Sequence, residues 1–336
     1  MKTAIITGIG GQDGAYLAAY LLELDYRVYG LTRSMDTFQN FRLKYLDILD
    51  KVEIIETNVI TKSSLIAVLE KIQPDEIYNL AAQSSVGLSF HLPFETIEFN
   101  ILSVLAWLEA IAEVNPKIRF YQASSSEMFG NISRDKLPLK ENLYFHPASP
   151  YGISKATAHW MVINYRESKN LFATNGILFN HESCLRGPSY VVKKIINHLT
   201  RIKLGLIHHE LKIGNVEISR DWGYAPMYID AMHKILQYEI AEDFLICSGN
   251  MMSLSQLIDL VCNQLDLERS QYLRSDPALF RPNELVEMYG DPSKAKKQLE
   301  WNYQLSNIDL VDRLIRDEIN FIQWELTQQP KVETIR

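Results

Sequence analysis

Residues 7–14 read Thr7-Gly8-Ile9-Gly10-Gly11-Gln12-Asp13-Gly14 and follow a short apolar run, Ala4–Thr7. Gly8, Gly11 and Gly14 fit the spacing Gly-x-x-Gly-x-x-Gly. Glycine at these positions allows a tight turn, a close approach of backbone to pyrophosphate, and close packing of a helix on its strand. The N-terminus of that helix offers unpaired N–H groups and a positive dipole end to phosphates. Glycines also gather in plain turns, but a position between a strand and a helix favours a dinucleotide-binding loop.

The first half of the chain alternates short β-rich runs with longer amphipathic segments. The predicted strands are Ala4–Thr7, Arg27–Leu31, Val52–Glu56, Glu76–Leu80 and Ile118–Ser124, and the predicted helices are Gly14–Leu24, Lys62–Ile72 and Pro93–Val114. This alternation predicts an α/β fold with a doubly wound, Rossmann-type parallel sheet. After about residue 180, Pro, Gly and isolated charges become more frequent around helices such as Ser253–Leu265. We therefore expect a cofactor-binding Rossmann domain over 1–180 that carries the catalytic residues, a smaller, mainly substrate-binding lobe over 181–325, and a tail over 326–336. Later segments remain free to rejoin the sheet.

Composition argues against several classes of protein. The formal net charge of −7 offers no broad attraction to nucleic acid or to an anionic membrane. Three cysteines without a paired short spacing argue against a disulfide framework or a zinc site. His208-His209 with Glu210 completes no metal site and is more typical of a solvated turn. The apolar run at the N-terminus is too short for a signal segment or a membrane span. We expect a cytoplasmic protein that binds neither metal, membrane nor nucleic acid.

The end of the second predicted strand bears on the choice of dinucleotide. Val28–Leu31 is followed by Thr32-Arg33-Ser34, which contains no acid. A site for NAD usually has an acid here to bind the ribose hydroxyls. An arginine instead suits a 2′-phosphate through charge-assisted hydrogen bonds. The alternative is a solvated arginine on a loop, but the pattern favours NADP.

Candidate catalytic residues follow the fifth strand and begin a later helix. Ser124-Ser125-Ser126-Glu127 ends the strand, and Pro150 fits the start of a helix that places Tyr151 and Lys155 on the same side. The ammonium can favour the phenolate, which can remove a proton from a hydroxyl while hydride leaves for a nicotinamide. A lone Tyr-x-x-x-Lys pair is common on amphipathic helices. Together with the glycine loop and the serine-rich strand end, it becomes specific.

Further stretches carry a resemblance to a known family. They are Thr7–Gly14, Tyr78–Ser84, Phe120–Ser124 with Ser126-Glu127, Asn175–Ser183, Gly214-Asn215, Arg220–Gly223 and Gly290–Pro292. On these residues, from about residue 3 to about residue 320, the chain resembles the extended short-chain dehydrogenases/reductases. Within them it is most similar to the GDP-mannose 4,6-dehydratase family. Asn175–Ser183 is the most specific stretch, since general nucleotide-sugar epimerases would share only the loop and the Tyr/Lys pair.

The resemblance implies a redox-neutral reaction that converts GDP-mannose to GDP-4-keto-6-deoxymannose. C4 is oxidised, water is eliminated across C5 and C6, and the hydride returns to C6. Tyr151 would deprotonate the 4-hydroxyl with Ser125 and Lys155 beside it, and Glu127 would be the base at C5. A simple C4 epimerase or dehydrogenase needs no such base, so Glu127 discriminates between the reactions. Its alternative role is a surface carboxylate that caps the next turn.

The resemblance also assigns binding residues. Cofactor contacts are expected at Gly8, Gly11, Gln12, Asp13, Gly14, Arg33, Asn58, Leu80, Ala81, Gln83, Tyr151, Lys155, His181 and Arg186. Contacts to the GDP-sugar are expected at Ser85, Glu127, Asn180, Lys193, Lys194, Arg220, Arg281 and Glu284. Cations suit a diphosphate and a carboxylate suits vicinal hydroxyls. The family further implies a homodimer or homotetramer in which the loop Arg33–Arg42 reaches a neighbouring subunit's cofactor.

Five departures from the family pattern keep other substrates open. Ser125 replaces Thr, Cys184-Leu185 replaces Pro-Arg, Ser34 replaces a second Arg, Asn58 replaces Asp, and Met227 replaces an acid. None removes a catalytic group, but together they allow a related substrate such as a GDP-heptose. A GDP-sugar 4-ketoreductase or epimerase would use the same Tyr/Lys pair without elimination. A non-enzymatic NADP-binding scaffold is the remaining alternative, although such proteins usually lose the Tyr or the Lys.

Overall fold

The computed structural model describes residues 1–280 and 283–328. Its strands are β1 (Thr3–Thr7), β2 (Arg27–Thr32), β3 (Glu53–Glu56), β4 (Glu76–Asn79), β5 (Arg119–Ser125), β6 (Ala173–Leu178), β7 (Asn180–Glu182), β8 (Leu211–Ile213), β9 (Ser219–Tyr224), β10 (Phe244–Ile246), β11 (Met251–Ser253), β12 (Leu273–Ser275) and β13 (Glu287–Met288). Its α-helices are α1 (Gln12–Glu23), α2 (Phe41–Tyr45), α3 (Lys62–Ile72), α4 (Val86–His91), α5 (Pro93–Val114), α6 (Pro150–Lys169), α7 (Val191–Lys203), α8 (Ala225–Gln237), α9 (Leu254–Leu265), α10 (Arg269–Tyr272), α11 (Ser293–Gln298) and α12 (Asn307–Gln328).

The main sheet has seven strands in the order β3-β2-β1-β4-β5-β6-β10. Every neighbouring pair is parallel, which confirms the doubly wound α/β prediction. The strand order reverses between β1 and β4, and ligands of such sheets bind beyond the carboxyl ends of the strands at this switch point. The strand β10 comes from well beyond residue 180. Its three residues are apolar and fully buried, as expected for a strand covered on both faces.

The first helix begins two residues earlier than the sequence pattern predicts. Gly11 has an extended backbone and serves as the N-cap, and the Ala15 N–H donates to its carbonyl at 3.1 Å. Gln12 and Asp13 therefore belong to the first turn of α1. At α9, in contrast, Ser253 stands just outside the helix, where it forms a capping box with Gln256. The bounds of α3 and α5 coincide with the predicted ranges.

The second lobe is built on small sheets and three helices. β9 pairs with β7, β11 and β13, and β8 pairs with β12. The helices α7, α9 and α12 enclose a separate apolar core around Trp222, Leu257 and Leu314. Because α12 continues to Gln328, residues 326–328 extend this helix, and the rest of the predicted tail lies outside the described residues. None of the helices described here is long and apolar enough to cross a membrane.

Candidate active site

A cleft of about 720 Å³ lies beyond the carboxyl ends of the main strands, between the sheet and the second lobe. This size is typical of pockets for small ligands and cofactors. Its walls come from the glycine loop, the segments that follow β2, β4 and β5, the first turns of α6, and the chain from Leu178 to Val191. β9 contributes Arg220 and Trp222. The cleft therefore joins the parts of the chain in which the sequence pattern predicts cofactor binding and catalysis.

The glycine loop has the geometry that its spacing predicts. Gly8 has a φ of +70°, in the left-handed region that L side chains rarely adopt. A Cβ on Gly14 would collide with the Gly8 carbonyl oxygen, so a side chain there would push α1 away from β1. The Gly11 N–H donates to the same oxygen at 2.8 Å and closes the turn. The N-terminus of α1 consequently faces the cleft with a bare backbone, as phosphate binding requires.

A hydrogen-bond network ties this loop to β7. Asp13 lies 3.0 Å from His181 Nε2 and accepts from Gln12 Nε2 at 2.8 Å. Gln12 also donates to the His181 carbonyl and accepts from the Ser183 hydroxyl at 2.7 Å. Burial alone would raise the pKa of Asp13, but His181 and Arg186 outweigh it and hold that pKa well below its usual range. The three predicted cofactor residues Gln12, Asp13 and His181 thus lie together and fix the loop against the second lobe.

At the end of β2, Arg33 lines the cleft between Thr32 and Ser34, while Glu56, outside the cleft lining, accepts from the Met35 N–H at 2.8 Å. The Arg33 guanidinium lies over the Phe99 ring, 5.1 Å from the centroid, and both residues line the cleft. The acids lining the cleft in the described part of the chain are Asp13, Glu127 and Glu182, all distant in sequence from this strand end. Asn58 caps its own turn, accepting from the Ile60 N–H at 3.2 Å, and is not among the cleft-lining residues.

The loop after β4 forms the next stretch of wall. Leu80 and Ala81 line the cleft, and their N–H groups both donate to the Thr7 hydroxyl, at 3.0 and 2.9 Å. Ser85 lines the cleft as well and caps α4. Gln83 differs from the prediction, because its side chain turns back to donate to the Ser85 carbonyl and to the Thr96 hydroxyl, both at 3.0 Å. Gln83 therefore stabilises the loop from outside the lining of the cleft.

The four predicted catalytic residues Ser125, Glu127, Tyr151 and Lys155 line this one cleft. Ser125 ends β5, and its hydroxyl accepts from the Glu127 N–H at 3.2 Å, which starts a single 3₁₀ turn. Tyr151 is the second residue of α6. Lys155 follows one turn later, with Nζ 5.8 Å from the centre of the Tyr151 ring. A strand end and a helix start therefore present a hydroxyl, a carboxylate, a phenol and an amine to one space.

Three local features hold this arrangement in place. The Lys155 ammonium donates to the Ala123 carbonyl at 2.7 Å, which anchors α6 on β5. A Cβ added to Gly152 would lie 2.7 Å from the Glu127 carbonyl oxygen, so the glycine lets the first turn of α6 pack on the Glu127 turn. The hydroxyl of Ser149 accepts from the Gly152 N–H at 3.0 Å and caps the helix.

The protonation of the Tyr/Lys pair is controlled by burial and by neighbouring groups. Burial raises the pKa of Tyr151 well above its usual value; the Ser125 hydroxyl and Arg186 oppose the rise, while Tyr190 and Glu127 add to it. Burial lowers the pKa of Lys155 to about 8, against the attraction of Asp13. The pKa of Lys155 therefore lies close to neutral pH, so a small change in its surroundings alters the charge of its amine.

Sequence reasoning predicted Arg186 as a cofactor contact but missed the cluster that it forms in the cleft. The Arg186 guanidinium lies over the Tyr190 ring, 4.0 Å from the centroid, and Arg186 Nε is 3.7 Å from Glu182 Oε2. Burial raises the pKa of Glu182, although Arg186 lowers it. The Tyr190 hydroxyl in turn lies 2.6 Å from the Ser84 hydroxyl. Glu182 lies inside the family-specific stretch, but nothing in the sequence pairs Ser84 with Tyr190, since 106 residues separate them.

The predicted contacts to a sugar diphosphate divide into two groups. Asn180 and Arg220 line the cleft. The Arg220 guanidinium donates to the Leu285 carbonyl at 2.6 Å and lies 3.6 Å from Glu284, so two residues that were each predicted to contact the GDP-sugar lie side by side. Arg281 lies outside the described residues.

The two predicted lysines lie away from the cleft. Lys193 is buried inside the second lobe, where its ammonium donates to both carboxylate oxygens of Glu318, at 2.6 and 2.5 Å, and to the Cys184 carbonyl. Lys194 donates to the Lys212 carbonyl at 3.0 Å on the lobe surface. The expectation of diphosphate contacts from this pair needs correction, because one lysine already has a buried carboxylate partner and the other points to β8.

Two of the departures from the family pattern, Cys184-Leu185 and Met227, have contacts that the structure describes. Cys184 and Leu185 are buried in an apolar cluster with Phe321 on α12. The Arg42 guanidinium, which the sequence analysis gave no role within its own subunit, donates to the carbonyls of Leu185 and Gly10, each at 2.7 Å. It lines the cleft beside the glycine loop and supplies a cation close to Leu185, where the family has arginine. Met227 offers its carbonyl to the Trp301 indole at 2.9 Å, a bond that any residue could make.

No group of side chains among residues 1–280 and 283–328 is arranged to hold a metal ion. The cleft combines a bare glycine backbone, a Tyr/Lys pair with a serine, and a carboxylate two residues beyond that serine.

Comparison with known proteins agrees with this geometry. The family model described as GDP-mannose 4,6 dehydratase matches residues 5–314. The chain is 39% identical over 334 residues to GDP-mannose 4,6 dehydratase 1 of Arabidopsis thaliana, covering 96% of this chain and 91% of that one. It is 36% identical to GDP-mannose 4,6-dehydratase of Vibrio cholerae, covering 96% and 95% of the two chains.

Solved structures show the same fold at low identity. UDP-glucose 4-epimerase of Thermotoga maritima superposes with a TM-score of 0.84 at 20% identity, covering 95% of this chain and 99% of that one. dTDP-glucose 4,6-dehydratase of Bacillus anthracis, solved in complex with NAD, gives a TM-score of 0.83 at 17% identity, covering 96% and 98%. RMD of Pseudomonas aeruginosa, solved with NADPH, gives 0.79 at 22% identity, covering 95% and 100%.

Proposed function

The chain belongs to the GDP-mannose 4,6-dehydratase family, and from that membership we propose that it converts GDP-mannose to GDP-4-keto-6-deoxymannose with NADP as resident cofactor. It is a lyase of the nucleotide-sugar dehydratase group. One observation carries the proposal for this cleft: Glu127 lines it together with Ser125, Tyr151 and Lys155. Oxidation or epimerisation at C4 needs only the last three, whereas elimination needs a base for C5 as well.

The residues divide the reaction between them. Burial disfavours the phenolate of Tyr151 by raising its pKa, whereas the Ser125 hydroxyl and Arg186 favour it. In the phenolate form Tyr151 takes the proton of the C4 hydroxyl, while the Ser125 hydroxyl holds that oxygen and the Lys155 ammonium stabilises the negative charge on the phenol. NADP, when bound, would supply the nicotinamide that stores the C4 hydride until C6 receives it. The 4-keto group acidifies the C5 hydrogen, which Glu127 removes. The C6–O bond then breaks, and the C6 hydroxyl leaves as water with the proton that Glu127 took. When the hydride reaches C6, C5 takes up a proton, which balances the proton that Tyr151 removed from the C4 hydroxyl. One water is lost, and the cofactor ends as it began.

The choice of NADP rests on the end of β2. Arg33 faces the cleft there with no acid beside it in the chain, and its stacking on Phe99 holds a flat cation where a 2′-phosphate can pair with it. Gly11 lacks a side chain between the loop backbone and the cleft, which suits the pyrophosphate. Arg42 adds a cation at the same end.

The remaining binding roles follow from position and charge. Arg220 and Asn180, at the lobe side of the cleft, suit the diphosphate of the GDP-sugar, and Ser85 suits a sugar hydroxyl. Glu284, held beside Arg220, suits the ribose hydroxyls.

We further propose that the protein is a homo-oligomer. Phe94 and Ile97 on α5, with Ile153 and Trp160 on α6, are large apolar side chains exposed on two helices that pack together. Phe94 is 86% exposed and Trp160 is 59% exposed, and such a face is typical of a surface that a second copy covers. Sedimentation of the wild type and of Trp160→Glu tests this, and a monomeric wild type would contradict it.

The function is tested by mass spectrometry of GDP-mannose incubated with the purified protein and catalytic NADP. Loss of one water without accumulation of NADPH is the expected result. If GDP-mannose stays unchanged while another GDP-sugar, such as a GDP-heptose, loses water, the mechanism stands with a different substrate. If no GDP-sugar loses water, the dehydratase proposal is wrong, and a ketoreductase, an epimerase or a binding scaffold takes its place.

A further inference from the structure

Two hydroxyl groups meet in the cleft from opposite sides. Ser84 lies on the loop after β4, which belongs to the main sheet, and Tyr190 immediately precedes α7 of the second lobe. Their oxygens are 2.6 Å apart, and both residues line the cleft. Neither has a part in the reaction described above. The pair is therefore a polar contact inside the site that catalysis by Tyr151 and Glu127 does not explain.

The position of the Tyr190 ring is fixed on one face. The Arg186 guanidinium lies over it, 4.0 Å from the centroid, and Arg186 Nε is 3.7 Å from the Glu182 carboxylate. Tyr190, Arg186 and Tyr151 all line the cleft, and Tyr190 and Arg186 act on the pKa of Tyr151 in opposite directions. The proposed reaction places the hexose at Tyr151, in the cleft that Tyr190 also lines.

The chemistry of the pair suits a sugar hydroxyl. Each hydroxyl has one donor and two acceptor positions, so a bond between two of them leaves acceptors for a third hydroxyl. The cations Arg186 and Arg220 suit phosphate, whereas a neutral hydroxyl pair suits a neutral polyol. In the proposed reaction, Tyr151 contacts the C4 hydroxyl of the hexose, and C5 and C6 are the carbons across which water is eliminated.

We propose that Tyr190 determines sugar specificity by binding the hexose hydroxyl at C2 or C3, with Ser84 holding the phenol in position. This inference rests on the proposed function, because it takes a GDP-hexose as the substrate. It adds a residue from the second lobe to the recognition of the sugar. A site built to bind a particular hydroxyl discriminates strongly against an analogue that lacks it.

The test uses Tyr190→Phe, which keeps the ring on Arg186 and removes only the hydroxyl. With NADP bound, and with Tyr151→Phe added to every protein compared so that GDP-mannose is not converted, dissociation constants are measured for GDP-mannose, GDP, and GDP-mannose analogues lacking the C2 or the C3 hydroxyl. We expect GDP-mannose to bind about tenfold more weakly to the variant and GDP to bind unchanged, the loss expected for about one hydrogen bond. Compared with GDP-mannose, one of the two analogues should bind the wild type about tenfold more weakly. Tyr190→Phe should bind that same analogue as tightly as the wild type does.

Ser84→Ala separates recognition from a mere bridge between the lobes. If the hydrogen bond between Ser84 and Tyr190 only joins the lobes, Ser84→Ala and Tyr190→Phe should lose equal affinity for GDP-mannose. Tyr190→Phe should then weaken the binding of both analogues as much as it weakens the binding of GDP-mannose. That result would overturn the inference. If Tyr190 recognises the sugar, Ser84→Ala loses less affinity than Tyr190→Phe. Tyr144→Phe, an exposed tyrosine outside the cleft lining, is the matched control and should match the wild type.

Binding and turnover distinguish this inference from the proposed function. A wild type that binds GDP-mannose without dehydrating it refutes the function, and the binding constants still decide the role of Tyr190. Equal affinity of wild type and Tyr190→Phe for GDP-mannose refutes the inference even if dehydration is observed. A wild type that does not bind GDP-mannose overturns both.

Discussion

Replacing Glu318 by leucine leaves the Lys193 ammonium without its carboxylate partner inside the second lobe. The side chains of Lys193 and Glu318 are 5% and 1% exposed, and the ammonium contacts both carboxylate oxygens. The Cys184 carbonyl is the other acceptor of this ammonium, at 2.7 Å. The perturbation therefore strands a charge that water does not reach, between α7 and α12.

The magnitude follows from this burial. Removing one member of a buried ion pair costs about 3–5 kcal/mol, whereas replacing both by apolar side chains of similar volume is often close to neutral. We expect Lys193→Met and Glu318→Leu each to lose about 3–5 kcal/mol of unfolding free energy. The double variant should regain most of it, keeping a loss of about 1 kcal/mol from Asn197, whose amide donates to Glu318 at 2.6 Å.

The assay is urea unfolding followed by tryptophan fluorescence, combined with the KM for GDP-mannose. Lys62→Met, which breaks an exposed pair with Glu109 and Glu113, is the matched control and should lose far less stability. Because Lys193 lies away from the cleft, the KM of the double variant should stay near that of the wild type. Single variants within about 1 kcal/mol of the wild type would refute the buried-pair reasoning. A stable Lys193→Met with a raised KM would return Lys193 to the substrate site.

Four further predictions concern the cleft. Glu127→Gln should bind NADP normally and lose product formation at least about 100-fold, leaving reduced nicotinamide visible by absorbance; full turnover would remove Glu127 as the C5 base. Tyr151→Phe should form no reduced nicotinamide even in a single turnover, and an active variant would exclude the phenolate. Arg33→Ala should raise the KM for NADP at least about tenfold but not that for NAD, whereas equal losses would exclude a 2′-phosphate contact. Because burial lowers the pKa of Lys155 to about 8, kcat/KM should fall as the pH rises through about 8 and the ammonium loses its proton; a flat profile would contradict this role.

The parts of the fold and site that the sequence predicts are those encoded by neighbouring residues. The glycine spacing requires a tight turn, and the Tyr151/Lys155 spacing requires one helical face, so both patterns can be interpreted without tertiary information. The predicted strands of the first half shift by at most one residue at either end. Where α1 begins was harder to predict, because Gly11 can be either a loop residue or an N-cap.

Long-range pairing explains what the sequence analysis missed. Lys193 and Lys194 look equivalent as a pair of cations, but Lys193 borders the apolar stripe of α7 formed by Val192 and Ile196, and Lys194 does not. Helical periodicity alone could have indicated that Lys193 faces inward. Its partner Glu318, 125 residues away, could not be predicted from spacing.

The strand β10 also has a consequence for synthesis of the protein on the ribosome. The edge of β6, whose six residues are all buried in the folded chain, receives its partner only when residues 244–246 have been made. At about 5–20 residues per second, the interval between completing β6 and completing β10 lasts roughly 3 to 14 seconds. During that interval the nascent sheet presents an unpaired strand edge, which is the kind of surface that chaperones bind and that aggregates form on. Rare codons between these two strands should therefore lower the yield of folded protein more than rare codons placed after residue 246.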